Sequence, residues 1–268
     1  MTARPAPPGS PLHDREGETG RLGPSAPHDH QMRGVLAPVA VALDAPDLET
    51  AVAWAAAVGP HVSTLKVGLE LYLRHGAEAV RRTREASGGR DLFLDLKLHD
   101  IPHTVAGAAL AVAALAPAYL TVHASGGQDM VQAAVDALPE TQVVGVTVLT
   151  SLGEADLAHL GMVGPPSEIV RRLALIAVGA GARALVCSPR EVADVRREVG
   201  PDITLITPGV RPVGAGADDQ ARTATPEQAR SDGADLLVIG RPITGSADPA
   251  AAAAQIAADL ARVGASRD

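Results

Sequence analysis

The segment Asp91-Leu-Phe-Leu-Asp95-Leu-Lys97-Leu-His-Asp100-Ile-Pro102 delivers two carboxylates and one lysine between positions 95 and 100, at the end of an apolar run. In a strand, alternate residues share a face, so Asp95 and Lys97 are expected to point the same way. Ile101-Pro102 breaks the pattern and puts both at the strand's C-terminal end. Charges on an inward face are costly unless paired, and they gather where chemistry is done. An ammonium group held there can stabilise developing negative charge and then donate a proton. For an isolated Asp-x-Lys, a structural ion pair at a strand end is the commoner explanation. The surroundings have to decide between the two.

Those surroundings are regular. From Val39 onward, short β-branched runs alternate with Ala-rich amphipathic stretches. The runs predict strands at 39–43, 62–67, 92–97, 119–123, 143–149, 184–188, 203–207 and 236–240. Helical patterns fall between them, at 48–57, 104–115, 130–138, 167–178, 191–199 and 226–231, and a last helix is expected over 249–263. Near-continuous apolar strands alternating with helices imply a parallel sheet covered on its outer face. Eight such units match an α/β (β/α)8 TIM barrel, with an open doubly wound sheet as the alternative. No G-x-G-x-x-G follows the first strand, which weakens the dinucleotide-binding alternative.

Polar residues mark the expected strand ends. Asp44 follows the first, Lys66 ends the second, and Asp95 and Lys97 end the third. His123 ends the fourth, Thr150-Ser151 follows the fifth, Thr207-Pro208-Gly209 the seventh, and Gly240-Arg241 the eighth. In a barrel all of these meet at the C-terminal rim, where barrel enzymes keep their sites.

Composition narrows the class. The 268 residues carry a formal net charge of -8, which argues against a general nucleic-acid or membrane-surface binder. Any phosphate site must then be local. No apolar stretch is long enough to span a bilayer. With Cys187 the sole cysteine, no disulfide can form within the chain, and a buried structural thiol is expected. Residues 1–34 are rich in Pro, Gly, His and charge without apolar period, and predict a disordered extension ahead of one barrel domain at 35–268.

The motif Leu94-Asp-Leu-Lys-Leu-His-Asp-Ile-Pro102 resembles the D-x-K-x-x-D-I-P signature of the orotidine 5'-monophosphate decarboxylase family. Leu43-Asp44, Lys66-Val-Gly68, Val148-Leu-Thr-Ser151, Thr207-Pro-Gly-Val-Arg-Pro212, Asp219-Gln220 and Ile239-Gly-Arg241 fit the same family in order and spacing. The resemblance implies cofactor-independent loss of CO2 from orotidine 5'-monophosphate, the last step of de novo UMP synthesis, in the cytoplasm. Lys66, Asp95, Lys97 and Asp100 would form a charged tetrad, with Lys97 as proton donor and Asp95 facing the departing carboxylate. It further implies a homodimer with shared sites, in which Asp100, Ile101 and Thr104 reach the partner subunit's site. Asp44 would bind ribose hydroxyls and Ser151 the pyrimidine and its carboxylate. Arg241, with backbone amides around Pro208-Gly209 and Gly240, would bind the 5'-phosphate, and Gln220 would bridge phosphate and base.

Each residue has a plainer reading. Asp44 could cap the helix starting near Pro46, Ser151 could cap a helix, Asp100 could serve its turn, and Gln220 could be a surface loop residue. His123 is expected to be a hydrogen-bonded structural group beside the lysines. Glu70 should support the loop after the second strand, and His103 departs from the asparagine common in relatives. Sugar-phosphate relatives with the same barrel and a D-x-K-x-x-D motif use Mg2+ and place a glutamate where this chain has Lys66. A lysine would repel that metal.

Overall fold

A computed structural model describes residues 36–211 and 224–265, all within one compact unit spanning Val35–Asp268. The expected extension at 1–34, together with Pro212, Asp219 and Gln220, lies outside the described residues.

Eight parallel strands close on themselves in sequence order. They are β1 (Ala37–Ala42), β2 (Val62–Gly68), β3 (Asp91–Leu98), β4 (Tyr119–His123), β5 (Gln142–Val146), β6 (Ala184–Val186), β7 (Thr204–Thr207) and β8 (Leu236–Ile239). Pairing of Val39 with Leu237 and Val41 with Ile239 joins the first strand to the last, which rules out the open sheet. The helices are α1 (Leu48–Val58), α2 (Leu69–Ala86), α3 (Pro102–Val112), α4 (Gln128–Ala137), α5 (Glu154–His159), α6 (Pro166–Gly179), α7 (Val192–Val199), α8 (Pro226–Ser231), α9 (Arg241–Thr244) and α10 (Pro249–Ala265). Among the described residues, no helix is long and apolar enough to cross a membrane.

Three helices that the periodicity did not bring out are α2, α9 and the six-residue α5. The first is strongly charged, with Arg81, Arg82 and Arg84 in its second half, and bends where Gly76 leaves helical geometry at φ 55°. The second is a single turn, too short to show a period. The fifth strand is also shorter than its apolar run, because residues 147–149 continue as loop toward the rim.

Two apolar layers follow from strand alternation. Outward-facing residues pack against the helices in the main core, among them Val41, Leu65, Leu94, Leu120, Leu185, Leu205 and Leu237. A smaller cluster of Ala40, Phe93, Val144, Ala184, Ile206 and Leu236 forms a separate core, with Tyr119, Val186 and Val238 packed against it. Phe93, the sole phenylalanine, meets Tyr119 edge to face at a centroid distance of 5.8 Å. A packed lumen of this kind makes the barrel a rigid plug beneath its upper rim.

Cys187 is fully buried beyond β6, as its apolar neighbours predict, and burial pushes its thiol up to about 12. The thiolate is the nucleophile that attacks thiol reagents, so the folded protein should resist them at neutral pH and react in full once denatured. Titration with a chromogenic disulfide, with and without denaturant, checks this; rapid reaction of the native protein would contradict it.

Candidate active site at the C-terminal rim

Strand ends carry the site. Lys66 occupies the penultimate inward position of β2, and the parallel register sets Gly68 beside Asp95 on β3. The carboxylate of Asp95 is nearly buried, at 12% side-chain exposure. It accepts hydrogen bonds from Lys97 Nζ at 2.8 and 2.9 Å on its two oxygens, and Lys66 Nζ approaches Oδ2 at 3.3 Å. Lys66 also reaches Asp44 Oδ1 at 3.4 Å, giving an alternating row of charges: Asp44, Lys66, Asp95, Lys97.

Burial alone would raise the pKa of Asp95. The charges of Lys66 and Lys97, and the hydrogen bonds from Lys97 and Thr121, outweigh it and hold the carboxyl below its ordinary value. Because the folded pKa lies below the unfolded one, the stabilisation from this group is complete above the ordinary carboxylate pKa. It is lost as pH falls through the lower folded value. At neutral pH Asp95 is therefore an anion held between two cations.

The geometry of β3 differs from simple alternation. Pairing with β4 runs Phe93 to Tyr119 and Leu94 to Leu120, then jumps to Leu98 with Val122. The strand is bulged between Leu94 and Leu98, and Lys97 lies at φ 48°, in the left-handed region. Such a conformation costs a non-glycine residue about 1–2 kcal/mol. Asp95 and Lys97 do meet, as expected, but through a bulge that re-aims the lysine.

The remaining residues sort clearly by position. A cavity of about 490 Å³ is lined by Asp44, Lys66, Asp95 and Lys97 on the β1–β3 side, and by Pro208, Gly209, Gly240 and Arg241 on the β7–β8 side. Phe93 forms part of its floor, and Thr150 rather than Ser151 represents the β5 loop. Ser151 is exposed in the following turn, and the residue capping α5 is Gly153, so Ser151 is not a cap. The capping role considered for Asp44 belongs to Asp47, whose side chain accepts from Thr50 N at 2.8 Å. Asp100, Ile101 and Thr104 are exposed and line no part of this cavity; Asp100 accepts from the amide of Ile101 at 2.6 Å.

His123 packs against His99, with centroids 5.3 Å apart. Burial, then His99 and Lys97, lower its pKa against the pull of Asp95, so it stands as a neutral imidazole beside the lysines. Glu70 pairs with Arg74 at 2.8 Å, and Arg74 donates to the carbonyl of Pro46 at 2.9 Å. That contact ties the start of α2 to the loop after β1, which carries Asp44, rather than to the loop after the second strand. Sequence reasoning missed Thr121, the inward residue of β4 that bonds both Asp95 and the backbone of Lys97. A lone threonine in a β-branched strand carries no signal of its own.

Gly68 has a role that its type alone does not reveal. A Cβ there would sit 2.9 Å from both Asp44 Oδ1 and Lys66 Nζ. Both atoms are ends of flexible side chains, so the charge row must give way while the fold is spared. A Gly68→Ala variant should melt within a few degrees of the parent, while a crystal structure shows the Lys66 ammonium displaced from Asp95. An unmoved Lys66 would contradict the steric argument.

Known proteins resemble this chain in sequence and fold. The family described as Orotidine 5'-phosphate decarboxylase / HUMPS family matches residues 37–256. The orotidine 5'-phosphate decarboxylase of Thermobifida fusca is 70% identical over 233 residues, covering 86% of this chain and 98% of that protein. That of Frankia casuarinae is 54% identical over 266 residues, covering 93% and 97%. The crystal structure of the orotidine 5'-phosphate decarboxylase from Lactobacillus acidophilus superposes with a TM-score of 0.72 at 34% identity, covering 83% of this chain and 98% of that one. This chain therefore belongs to the orotidine 5'-phosphate decarboxylase / HUMPS family.

Proposed function

We propose that the chain decarboxylates orotidine 5'-monophosphate to UMP and CO2, the last step of de novo pyrimidine synthesis, with its catalytic domain at 35–268. The observation that carries this reading is the buried carboxylate of Asp95 bracketed by the ammonium groups of Lys66 and Lys97.

The substrate carboxylate at C6 enters beside Asp95, and two like charges in a part-buried site repel. Loss of CO2 relieves that repulsion. The C6–carboxylate bond breaks, its electron pair stays on C6, and Lys97 stabilises the carbanion and gives C6 its proton. The neutral amine left on Lys97 regains a proton from solvent. Lys66 keeps Asp95 ionised and lies within reach of Asp44, which holds the ribose hydroxyls. Ser151 contacts the pyrimidine as its loop approaches. The 5'-phosphate lies across the cavity, on Arg241 and the amides around Pro208, Gly209 and Gly240. Gln220 links that phosphate to the base. The reaction takes place in the cytoplasm, where phosphorylated nucleotides are retained.

The sugar-phosphate members of the family require a divalent cation among oxygen ligands. Here both Asp95 oxygens are engaged by ammonium groups, and Lys66 stands 3.3 Å away. That donor set does not fit Mg2+.

Asp100, Ile101 and Thr104 are exposed and line no part of the cavity of their own chain. Their exposure supports a homodimer in which they complete a second copy's site and Asp100 closes the charge row. Exposed Leu69, Leu73 and Leu110 supply apolar surface on α2 and α3 for such a contact.

Loss of orotidine 5'-monophosphate, followed by ultraviolet absorbance in EDTA, is expected for the purified protein. It should fall at least about 100-fold in Lys97→Ala, as for loss of a general acid. No turnover by folded protein would end this reading. If sites are shared, mixing inactive Lys97→Ala and Asp100→Ala proteins should restore activity, because hybrid dimers contain one intact site. Absence of recovery, with subunit exchange demonstrated, would show that each chain works alone.

A further inference from the structure

We infer that Thr121 is a positioning residue: its single hydroxyl locks the bulged backbone of Lys97 to the carboxylate of Asp95, so that the proton donor and its anionic neighbour are set as one unit. The inference rests on the decarboxylase reading above and extends it to a residue on a different strand.

Three observations converge on this oxygen. Thr121 Oγ1 accepts from the Lys97 amide at 2.8 Å and donates to Asp95 Oδ1 at 3.0 Å. A hydroxyl can do both at once because it carries one donor and two lone pairs. The amide it receives sits in the β3–β4 bulge, where the ladder has slipped between Leu94 and Leu98. A side chain therefore supplies the acceptor for a backbone group that the irregular strand would leave unpaired. The amide also belongs to a residue at φ 48°, a conformation that persists only when neighbouring contacts enforce it. Thr121 itself is fully buried, so no water competes for its hydroxyl.

The consequence is geometric before it is electrostatic. Without the hydroxyl, Lys97 loses the contact that holds its strained backbone, and Asp95 loses one of the bonds that orient its Oδ1. Asp95 also faces Lys66 from β2, Lys97 from β3 and His123 from β4, with Asp44 behind Lys66 and His99 against His123. Those groups remain in a Thr121 variant, so a change in Asp95 reports the lost hydroxyl. Losing a hydrogen bond to the charged form raises a carboxyl pKa, which moves the acid limb of the rate profile upward.

The test compares Thr121→Val, which keeps shape and methyl but not the hydroxyl, with Thr121→Ser, which keeps the hydroxyl alone. For valine we expect kcat on orotidine 5'-monophosphate to fall about 10- to 100-fold, with KM changed less than about threefold. The acid limb of the pH–rate profile, and the Asp95 titration followed by carboxyl carbon-13 NMR in the free protein, should both move to higher pH. Serine should restore most of kcat and the parent titration. A folded valine variant with parental kcat and an unshifted Asp95 overturns the inference, as does a serine variant as impaired as valine. If valine does not fold, Thr121→Ala removes the same hydroxyl with less bulk, and the same criteria apply. An inactive parent protein would end the decarboxylase reading, while the NMR titration would still decide the role of Thr121.

Discussion

One buried carboxylate organises the upper half of this barrel. Asp95 can stay ionised at low solvent exposure only because two ammonium groups and a hydroxyl surround it. Each of those partners makes its own demand on the fold. Lys66 needs Gly68 beyond it, Lys97 needs a bulged strand, and Thr121 needs a buried inward place on the neighbouring strand. The charge row is thus a constraint on three adjacent strands, and the parallel register between them brings it about.

The lumen beneath supplies the rigidity. Phe93 precedes Asp95 by two residues on the same inward face, so the largest fully buried side chain of the lumen lies directly below the charges. Small residues elsewhere, such as Ala40 and Ala184, make room for it. Close packing of that kind resists the shifts that would let a strained lysine relax. Above it the rim is polar and open, with cationic and carboxylate groups on one side and glycine backbone with Arg241 on the other. A molecule with a reacting anionic group at one end and a phosphate at the other suits such a mouth.

The chemistry that this arrangement supports is electrostatic. Removing CO2 from a carbon with no adjacent electron sink creates localised negative charge, and preorganised cations in a part-buried site stabilise it without reorganising solvent. Lys66, 3.3 Å from Asp95, makes that carboxylate a poor home for a divalent cation.

Residue types and their spacing determined much of this by themselves. The order of eight apolar strands, the placement of Asp44, Lys66, Asp95, Lys97, Gly240 and Arg241 at strand ends, and the burial of Cys187 all follow from local patterns of hydrophobicity, because a parallel strand must hide both faces and display its polar residues at its tips. Helix α2 escaped because Gly76 interrupts its pattern, and α5 and α9 because they are too short to show one. Only the tertiary structure decided that the strand carrying Lys97 is bulged, that Asp47 rather than Asp44 caps α1, that Ser151 stands outside the cavity of the single chain, and that Thr121 and Gly68 serve the site. Those outcomes depend on which atoms on neighbouring strands come within bonding distance. Register and ring closure set that, and no single segment contains the information.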